Sequence, residues 1–215
     1  MTRVTARFCP SANEIRCRVV VADDQFVQYE TWVGLYVAKR EFDNNYCERV
    51  VLSVCDKELR FKDYPDGLYE LRLFRRDYER IDVAPTTVCV GQPVPVQASV
   101  GANGVLRVTF PPAPSPTSGD WVGLFLSSTH SMKRWIEKQP VNREGVVFFD
   151  LKRLALDGVE RLDGETPVPR RYECRYFKER SVFRTLCSHT FVPSGISEPF
   201  SYNEFGLAVT SLPRD

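Results

Sequence analysis

The residues that could perform chemistry are few in this chain of 215 amino acids. Only two are histidines, and one of them, His189, follows Cys187 at a spacing of two. On a strand, residues at that spacing point to the same face, so a thiol and an imidazole would be neighbours. A nucleophilic pair also needs a third residue that orients the imidazole, and the surrounding sequence supplies none. We therefore expect no catalytic residue and no enzyme.

Metal and cofactor sites are equally poorly supported. Cysteine and histidine never cluster at the spacing of zinc ligands. Calcium sites need several acidic side chains from two loops, and residues 23–24 and 63–66 supply two aspartates each. Turn formation and solvation explain these aspartates more simply. Because a glycine-rich phosphate loop is missing as well, we expect no metal and no cofactor.

A recognition surface is the better candidate. The alternation of residues 171–177 predicts a strand with Tyr172, Cys174 and Tyr176 on the core side. The candidate partner-binding residues lie on its other face or in basic segments expected beside it: Arg171, Glu173, Arg175, Phe177, Lys178, Arg180, Lys133 and Arg134. Such a face could dock an acidic peptide or a phospholipid headgroup. An ordinary solvated face with cross-strand ion pairs is the simpler interpretation.

The C-terminal tail, residues 194–215, is richer in aromatic residues than a disordered segment. Its apolar candidates for a partner motif are Phe200, Tyr202, Phe205 and Leu207. We expect the tail either to pack on the domains or to offer a short linear motif to a partner.

The elements that must position these residues are strands. Short alternating apolar runs, separated by turns rich in Pro, Gly, Asp and Asn, predict an all-β fold. Predicted strands span residues 3–8, 14–21, 31–38, 49–54, 68–74, 85–90, 94–100, 105–110, 120–127, 145–150, 171–177 and 182–192. Helical signals are confined to residues 131–138 and 151–157.

An internal repeat gives the domain organisation. The segment WVGLY at 32–36 recurs as WVGLF at 121–125, and YELRLF at 69–74 recurs as YECRYF at 172–177. Order and spacing agree, so we predict two copies of one domain, residues 1–92 and 93–193, followed by the tail. Both repeated tryptophans are expected in the core, and Gly123 is expected to let a large ring lie against the backbone.

Charge and cysteine content restrict the partners and the compartment. The 29 basic and 28 acidic residues give a net charge of +1, which excludes a general nucleic-acid binder. No apolar run is long enough for a transmembrane segment, and residues 1–10 lack the apolar stretch of a secretory signal. Seven cysteines without a C-x-x-C pair indicate reduced thiols and a cytoplasmic protein.

With about 100 residues, roughly seven strands and a tryptophan in a central strand, each copy fits an immunoglobulin-like β-sandwich. The second copy also resembles a SKICH domain. The motifs are DWVGLF at 120–125 after a proline-rich loop at 111–119, YECRYF at 172–177, and VFR at 182–184 after a charged turn. The first copy is a more divergent match, with Thr31 in place of the aspartate and Tyr36 in place of the phenylalanine. The resemblance implies a non-catalytic domain that targets membranes or binds protein partners in signalling and selective autophagy.

We therefore expect two tandem immunoglobulin-like or SKICH-like sandwiches that form a cytoplasmic protein-interaction and targeting module. Such modules seldom act alone, so we expect the N-terminal part of a larger adaptor or cytoskeleton-associated protein. The alternative is a peripheral membrane domain that binds anionic phospholipids through the basic face of the second sandwich. Salt would weaken lipid binding more than an interface anchored by aromatic residues.

Overall fold

The computed structural model describes residues 2–39, 45–82, 84–111, 119–129, 133–154, 159–160, 168–169, 171–179, 182–184 and 189–202. This part of the chain is nearly all β, which confirms the predicted fold class. Its one helical element is a 3₁₀ turn at Pro10–Ala12. No helix in the described ranges is long and apolar enough to cross a membrane.

The chain divides into two compact units. The first consists of Met1–Pro93 together with Arg180–Pro193, and the second of Val94–Glu179 together with Ser194–Asp215. The sequence expectation placed residues 180–193 in the second domain. In the structure, the Leu68 N–H donates a 2.7 Å hydrogen bond to the carbonyl of Pro193, and the buried Val192 lies directly against Gly67. These contacts attach the end of that segment to the first unit.

The first unit contains two antiparallel sheets. Its strands are β1 (Arg3–Cys9), β2 (Glu14–Val20), β3 (Thr31–Val37), β4 (Glu48–Val51), β5 (Asp56–Lys62), β6 (Gly67–Arg75), β7 (Glu79–Arg80) and β8 (Thr86–Val90). One sheet has the order β1-β2-β5, and the other has the order β4-β3-β6-β7, with β8 also paired to β6.

The second unit repeats this arrangement. Its strands are β9 (Gln97–Val100), β10 (Val105–Thr109), β11 (Trp121–Leu126), β12 (Glu137–Pro140), β13 (Val146–Asp150), β14 (Val159–Glu160), β15 (Val168–Pro169), β16 (Arg171–Phe177), β19 (Gly195–Ile196) and β20 (Phe200–Ser201). The sheet orders are β9-β10-β13 and β12-β11-β16-β19, with β20 also paired to β16. Strands β14 and β15 form a ribbon. A separate ribbon of β17 (Val182–Arg184) and β18 (His189–Phe191) lies in the segment Arg180–Pro193, which belongs to the first unit.

The duplication extends beyond the two motifs that revealed it. Strands β1 to β6 correspond in order and pairing to β9, β10, β11, β12, β13 and β16. In the second unit, inward side chains of both sheets form one buried core, which includes Leu106, Phe149, Val122 and Tyr176. Two sheets that bury such a shared layer form a β-sandwich. The prediction of two tandem immunoglobulin-like sandwiches is therefore confirmed.

Two sequence predictions of secondary structure are wrong. Within the expected helix at 131–138, the described residues 133–136 form turns and loops, and Glu137 begins strand β12; residues 151–154 form turns instead of the second helix. Strand β5 was not predicted, because charged residues occupy every second position from Asp56 to Lys62. Its intervening Leu59 and Phe61 are buried, so the strand follows the usual alternation of a half-buried sheet.

Candidate functional site

The candidate face of β16 is largely buried. Arg171 is exposed and Lys178 is partly buried, but Glu173, Arg175 and Phe177 have no solvent-exposed surface. The expectation of a solvated face is therefore wrong for these three residues. Lys133 and Arg134 are exposed, and Arg180 lies outside the described residues.

The burial results from a second layer of side chains, which covers the outer face of the sheet that contains β11 and β16. Along β11 and β16, Trp121 lies opposite Phe177, Gly123 opposite Arg175, and Phe125 opposite Glu173. The Trp121 and Phe177 rings stack at 4.1 Å between centroids, with an angle of 13° between their planes. The Arg175 guanidinium lies 4.3 Å from the centroid of the Phe125 ring. Aromatic rings thus enclose the charged residues on this face.

Arg175 and Glu173 form an ion pair within this layer. Arg175 Nε donates to Glu173 Oε1 at 2.8 Å, and an Nη of the same guanidinium donates to the carbonyl of Thr129. Burial lowers the pKa of Arg175, while the neighbouring Glu173 carboxylate opposes this shift. Glu173 and Arg175 lie two positions apart on the same strand, and their opposite charges neutralise each other. This pair is therefore a structural element and is not accessible to a partner.

The first unit contains the same arrangement. Trp32 stacks on Phe74 at 4.2 Å, and Arg72 pairs with Glu70 at 2.9 Å. The Arg72 guanidinium lies 4.3 Å from the centroid of the Tyr36 ring. The strand register is also the same, with the tryptophan opposite the phenylalanine and the glycine opposite the arginine. The repeated sequence motifs thus encode a repeated aromatic and ionic layer.

Glycine is required at the centre of this layer. A Cβ atom at Gly123 would lie 2.6 Å from Cε2 of Phe125 and 2.9 Å from Cζ3 of Trp121. At Gly34, a Cβ atom would lie 2.5 Å from Cε2 of Tyr36. All three distances are too short for real carbon contacts. The prediction that a large ring lies against the backbone of Gly123 is confirmed.

The two units differ in how the tryptophan is covered. Trp32 is fully buried and its indole N–H donates to the carbonyl of Arg76 at 2.8 Å. The rings of Tyr46 and Tyr78 approach it edge-on, and the Arg49 guanidinium lies 4.4 Å from its centroid. Trp32 thus satisfies the expectation of a core residue.

In the second unit, Trp121 is only partly buried, so the expectation of a core residue holds less completely there. It contacts the partly buried Trp135 edge-on, with 5.5 Å between the ring centroids. The ammonium of Lys138, an exposed residue, lies 4.9 Å from the Trp135 ring and 5.7 Å from the Trp121 ring. We name Trp121, Trp135 and Lys138 the tryptophan patch. The sequence analysis missed Trp135, although its position between Lys133-Arg134 and Lys138 was a usable signal.

The start of the tail belongs to the second unit. Strands β19 and β20 pair with β16, and the Ser197 N–H donates to the carbonyl of Cys174 at 2.8 Å. Tyr202 is buried in the core of this unit, and the partly buried Phe200 packs against it. These two residues have structural roles. Phe205 and Leu207 lie outside the described residues.

The aspartates considered for metal binding form no metal site in the described part of the chain. No group of three or more His, Cys, Asp or Glu side chains there could hold a metal ion. Cys187 lies outside the described residues. Cys17 and Cys174 are buried free thiols, and burial raises the pKa of Cys17 to about 12.

Comparison with known proteins gives no family. No family model matches the chain, and no curated protein matches it. A solved structure of the FN1–FN3 domains of chicken CNTN1 is 10% identical, over 92% of this chain and 63% of that one, with a TM-score of 0.32. The chain thus spans less than two thirds of that fragment's length.

Two further solved structures show the same weak likeness. A segment of two fibronectin type III domains from chicken tenascin is 14% identical, over 94% of this chain and 95% of that one, with a TM-score of 0.26. Native alpha-2-macroglobulin from Escherichia coli, spanning domains MG0-NIE-MG1, is 13% identical, over 73% of this chain and 58% of that one, with a TM-score of 0.33. At such TM-scores the fold assignment rests on the sheets and cores described above.

Proposed function

We propose that the chain is a non-catalytic protein-interaction and targeting module whose second unit binds a partner through the tryptophan patch. The observation that carries this proposal is the incomplete burial of Trp121 and Trp135, in contrast to the complete burial of Trp32. Each unit has its own equivalent aromatic layer, yet the tryptophan of that layer is fully buried in the first unit and partly open to solvent in the second.

The composition of the patch favours a protein partner. Tryptophan, tyrosine and arginine are the residues that most often dominate binding energy at interfaces, and the aromatic rings bury a large area with few rotatable bonds. Lys138 lies beside both rings, and the exposed Lys133 and Arg134 immediately precede Trp135 in the chain. A partner segment with an apolar side chain between carboxylates would match this arrangement of rings and cations.

The resemblance of residues 93–193 to SKICH domains supports the same function, because those domains are non-catalytic and bind protein partners. On this basis we assign the chain to a cytoplasmic adaptor or cytoskeleton-associated protein. A membrane-binding function through the basic face has less support. The buried Glu173 carboxylate neutralises the equally buried Arg175, so neither charge is available to a lipid headgroup.

Partner capture from a cell extract, followed by mass spectrometry, tests the proposal. The variant Trp135→Ala/Lys138→Glu removes the open ring and reverses the adjacent charge. Lys152→Glu is the matched control, because it makes the same charge change at another exposed position of the second unit. We expect a set of proteins that the wild type and the control retain and that the patch variant loses.

Vesicles of phosphatidylcholine with phosphatidylserine provide the second arm of this experiment. Lipid binding that fades with salt and is lost in the patch variant would indicate the membrane function. An unchanged set of captured proteins in the patch variant would contradict the assignment of the binding surface. Because the changed side chains are not fully buried, we expect both variants to fold. Thermal unfolding of the wild type and the two variants checks this.

A further inference from the structure

We propose that the outer face of the sheet β1-β2-β5 binds a phosphate monoester carried by a segment of a protein partner, such as a phosphoserine or phosphothreonine. The site is centred on Arg7, Arg16 and Arg60, which we name the arginine row. This inference rests on the proposed protein-interaction function and assigns it a second surface, on the first unit.

The strand register aligns the three arginines. Arg7 on β1 lies directly opposite Arg16 on β2, and Arg16 lies directly opposite Arg60 on β5. Neighbouring strands are about 4.8 Å apart, so the outer two backbones of the row are separated by about 10 Å. Long arginine side chains can converge over that distance on one tetrahedral anion, and planar guanidinium groups match its oxygens.

A cavity of about 280 Å³ lies beside the row. Ala6, Cys17 and Leu59 lie opposite one another on the three strands and form the floor of the cavity. Their side chains point to the opposite face of the sheet. The arginine row forms one wall. The other wall is the row formed by Thr5, Arg18 and Glu58. A cavity of this size accommodates a phosphate group and the side chain that carries it.

The charges on this face are incompletely balanced. Arg16 pairs with Glu14 at 2.6 Å, and Arg18 pairs with Asp56 at 2.7 Å. Within the described chain, Arg7 and Arg60 are exposed and neither takes part in an ion pair. Like charges directly opposite each other destabilise a sheet. A bound dianion would offset this repulsion, which gives the site its affinity for phosphate.

The surrounding charge favours a compact anion over an extended one. The outward positions of β1, β2 and β5 carry six basic and three acidic residues. The remainder of residues 1–92 carries eight basic and twelve acidic residues. A membrane or a nucleic acid would meet this negative remainder, whereas a single phosphorylated side chain would meet only the basic face.

The corresponding sheet of the second unit has no such row. On its middle strand β10, the exposed Arg107 lies between Ser99 on β9 and the exposed Phe148 on β13. The three aligned arginines are therefore a feature of the first copy and not of the repeated fold. Arg107 provides a matched control for substitution, because it is an exposed arginine at the centre of an equivalent sheet.

A peptide library with one fixed phosphoserine or phosphothreonine tests the site, together with the same library after phosphatase treatment. We expect the full chain to retain phosphorylated peptides only. The variant Arg7→Gln/Arg60→Gln should weaken this binding by roughly tenfold or more, while Arg107→Gln leaves it unchanged. Binding should strengthen as the pH rises through about 6, where the phosphate monoester becomes a dianion.

Three outcomes would overturn the proposal. These are equal retention of the phosphatase-treated library, equal binding by the Arg7→Gln/Arg60→Gln variant, and binding of phosphatidylinositol phosphate vesicles without retention of peptides. The patch variant Trp135→Ala/Lys138→Glu separates this proposal from the preceding one, because it should still bind phosphopeptides. If phosphopeptides fail to bind and partner capture still depends on the tryptophan patch, only the arginine row is wrong.

Discussion

Breaking the ion pair between Glu173 and Arg175 should strongly destabilise the second unit. Both side chains are 0% exposed, so neither charge can be solvated once its partner is removed. Removing one partner of a buried pair costs about 3–5 kcal/mol, whereas replacing both by apolar residues costs little. We expect the free energy of unfolding to fall by an amount in this range for Glu173→Leu and for Arg175→Met. The free energy of unfolding of the double variant should lie within about 1 kcal/mol of the wild-type value, because apolar side chains pack well within the aromatic layer.

Urea unfolding of protein labelled with 5-fluorotryptophan measures this effect by ¹⁹F NMR. The chain has three tryptophans, so Trp121 and Trp135 report on the second unit and Trp32 reports on the first. A loss of about 3 kcal/mol should lower the urea midpoint of the two second-unit signals by roughly 1–3 M. Single variants close to the wild type, or a double variant as unstable as the sum of the singles, would refute the reasoning. The same cycle at Glu70 and Arg72 should give a somewhat smaller coupling, because those side chains are 11% and 7% exposed and not fully buried.

Two further predictions concern the aromatic layer and the arginine row. Gly123→Ala should destabilise the second unit by about 1–3 kcal/mol, because its Cβ would overlap the Phe125 ring. The control is Gly101→Ala, whose Cβ meets chiefly the Asn103 side chain. Equal urea midpoints for the two variants would contradict the prediction. The hydrogen bond from Arg16 holds the pKa of Glu14 below its ordinary value of 4.5, so this carboxylate stabilises the fold above that pH and ceases to do so as the pH falls through its folded-state pKa. Glu14→Gln should therefore lower the urea midpoint of the Trp32 signal at neutral pH but not in acid, and a difference that is constant with pH would contradict the assignment.

Much of the fold could be predicted from local patterns. Alternating apolar residues predicted most strands, and the two copies of the WVGL motif predicted the duplication that the sheet orders confirm. Strand β5 escaped prediction because its outward residues are all charged, and its inward Leu59 and Phe61 alone gave a weak signal. Trp135 was assigned to a helix because the local sequence does not reveal that Glu137 begins a strand pairing with β11.

The sequence by itself determined which residues share a face of each strand, because side chains alternate at a fixed period of two. Only the tertiary structure decided which faces are covered. The carbonyl that binds Arg175 belongs to Thr129, 46 residues earlier in the chain, and the Phe125 ring that covers it belongs to β11. The arginine row likewise joins three strands, and only their register aligns Arg7, Arg16 and Arg60. Burial and strand register arise from contacts between distant segments, and a local pattern carries no information about them.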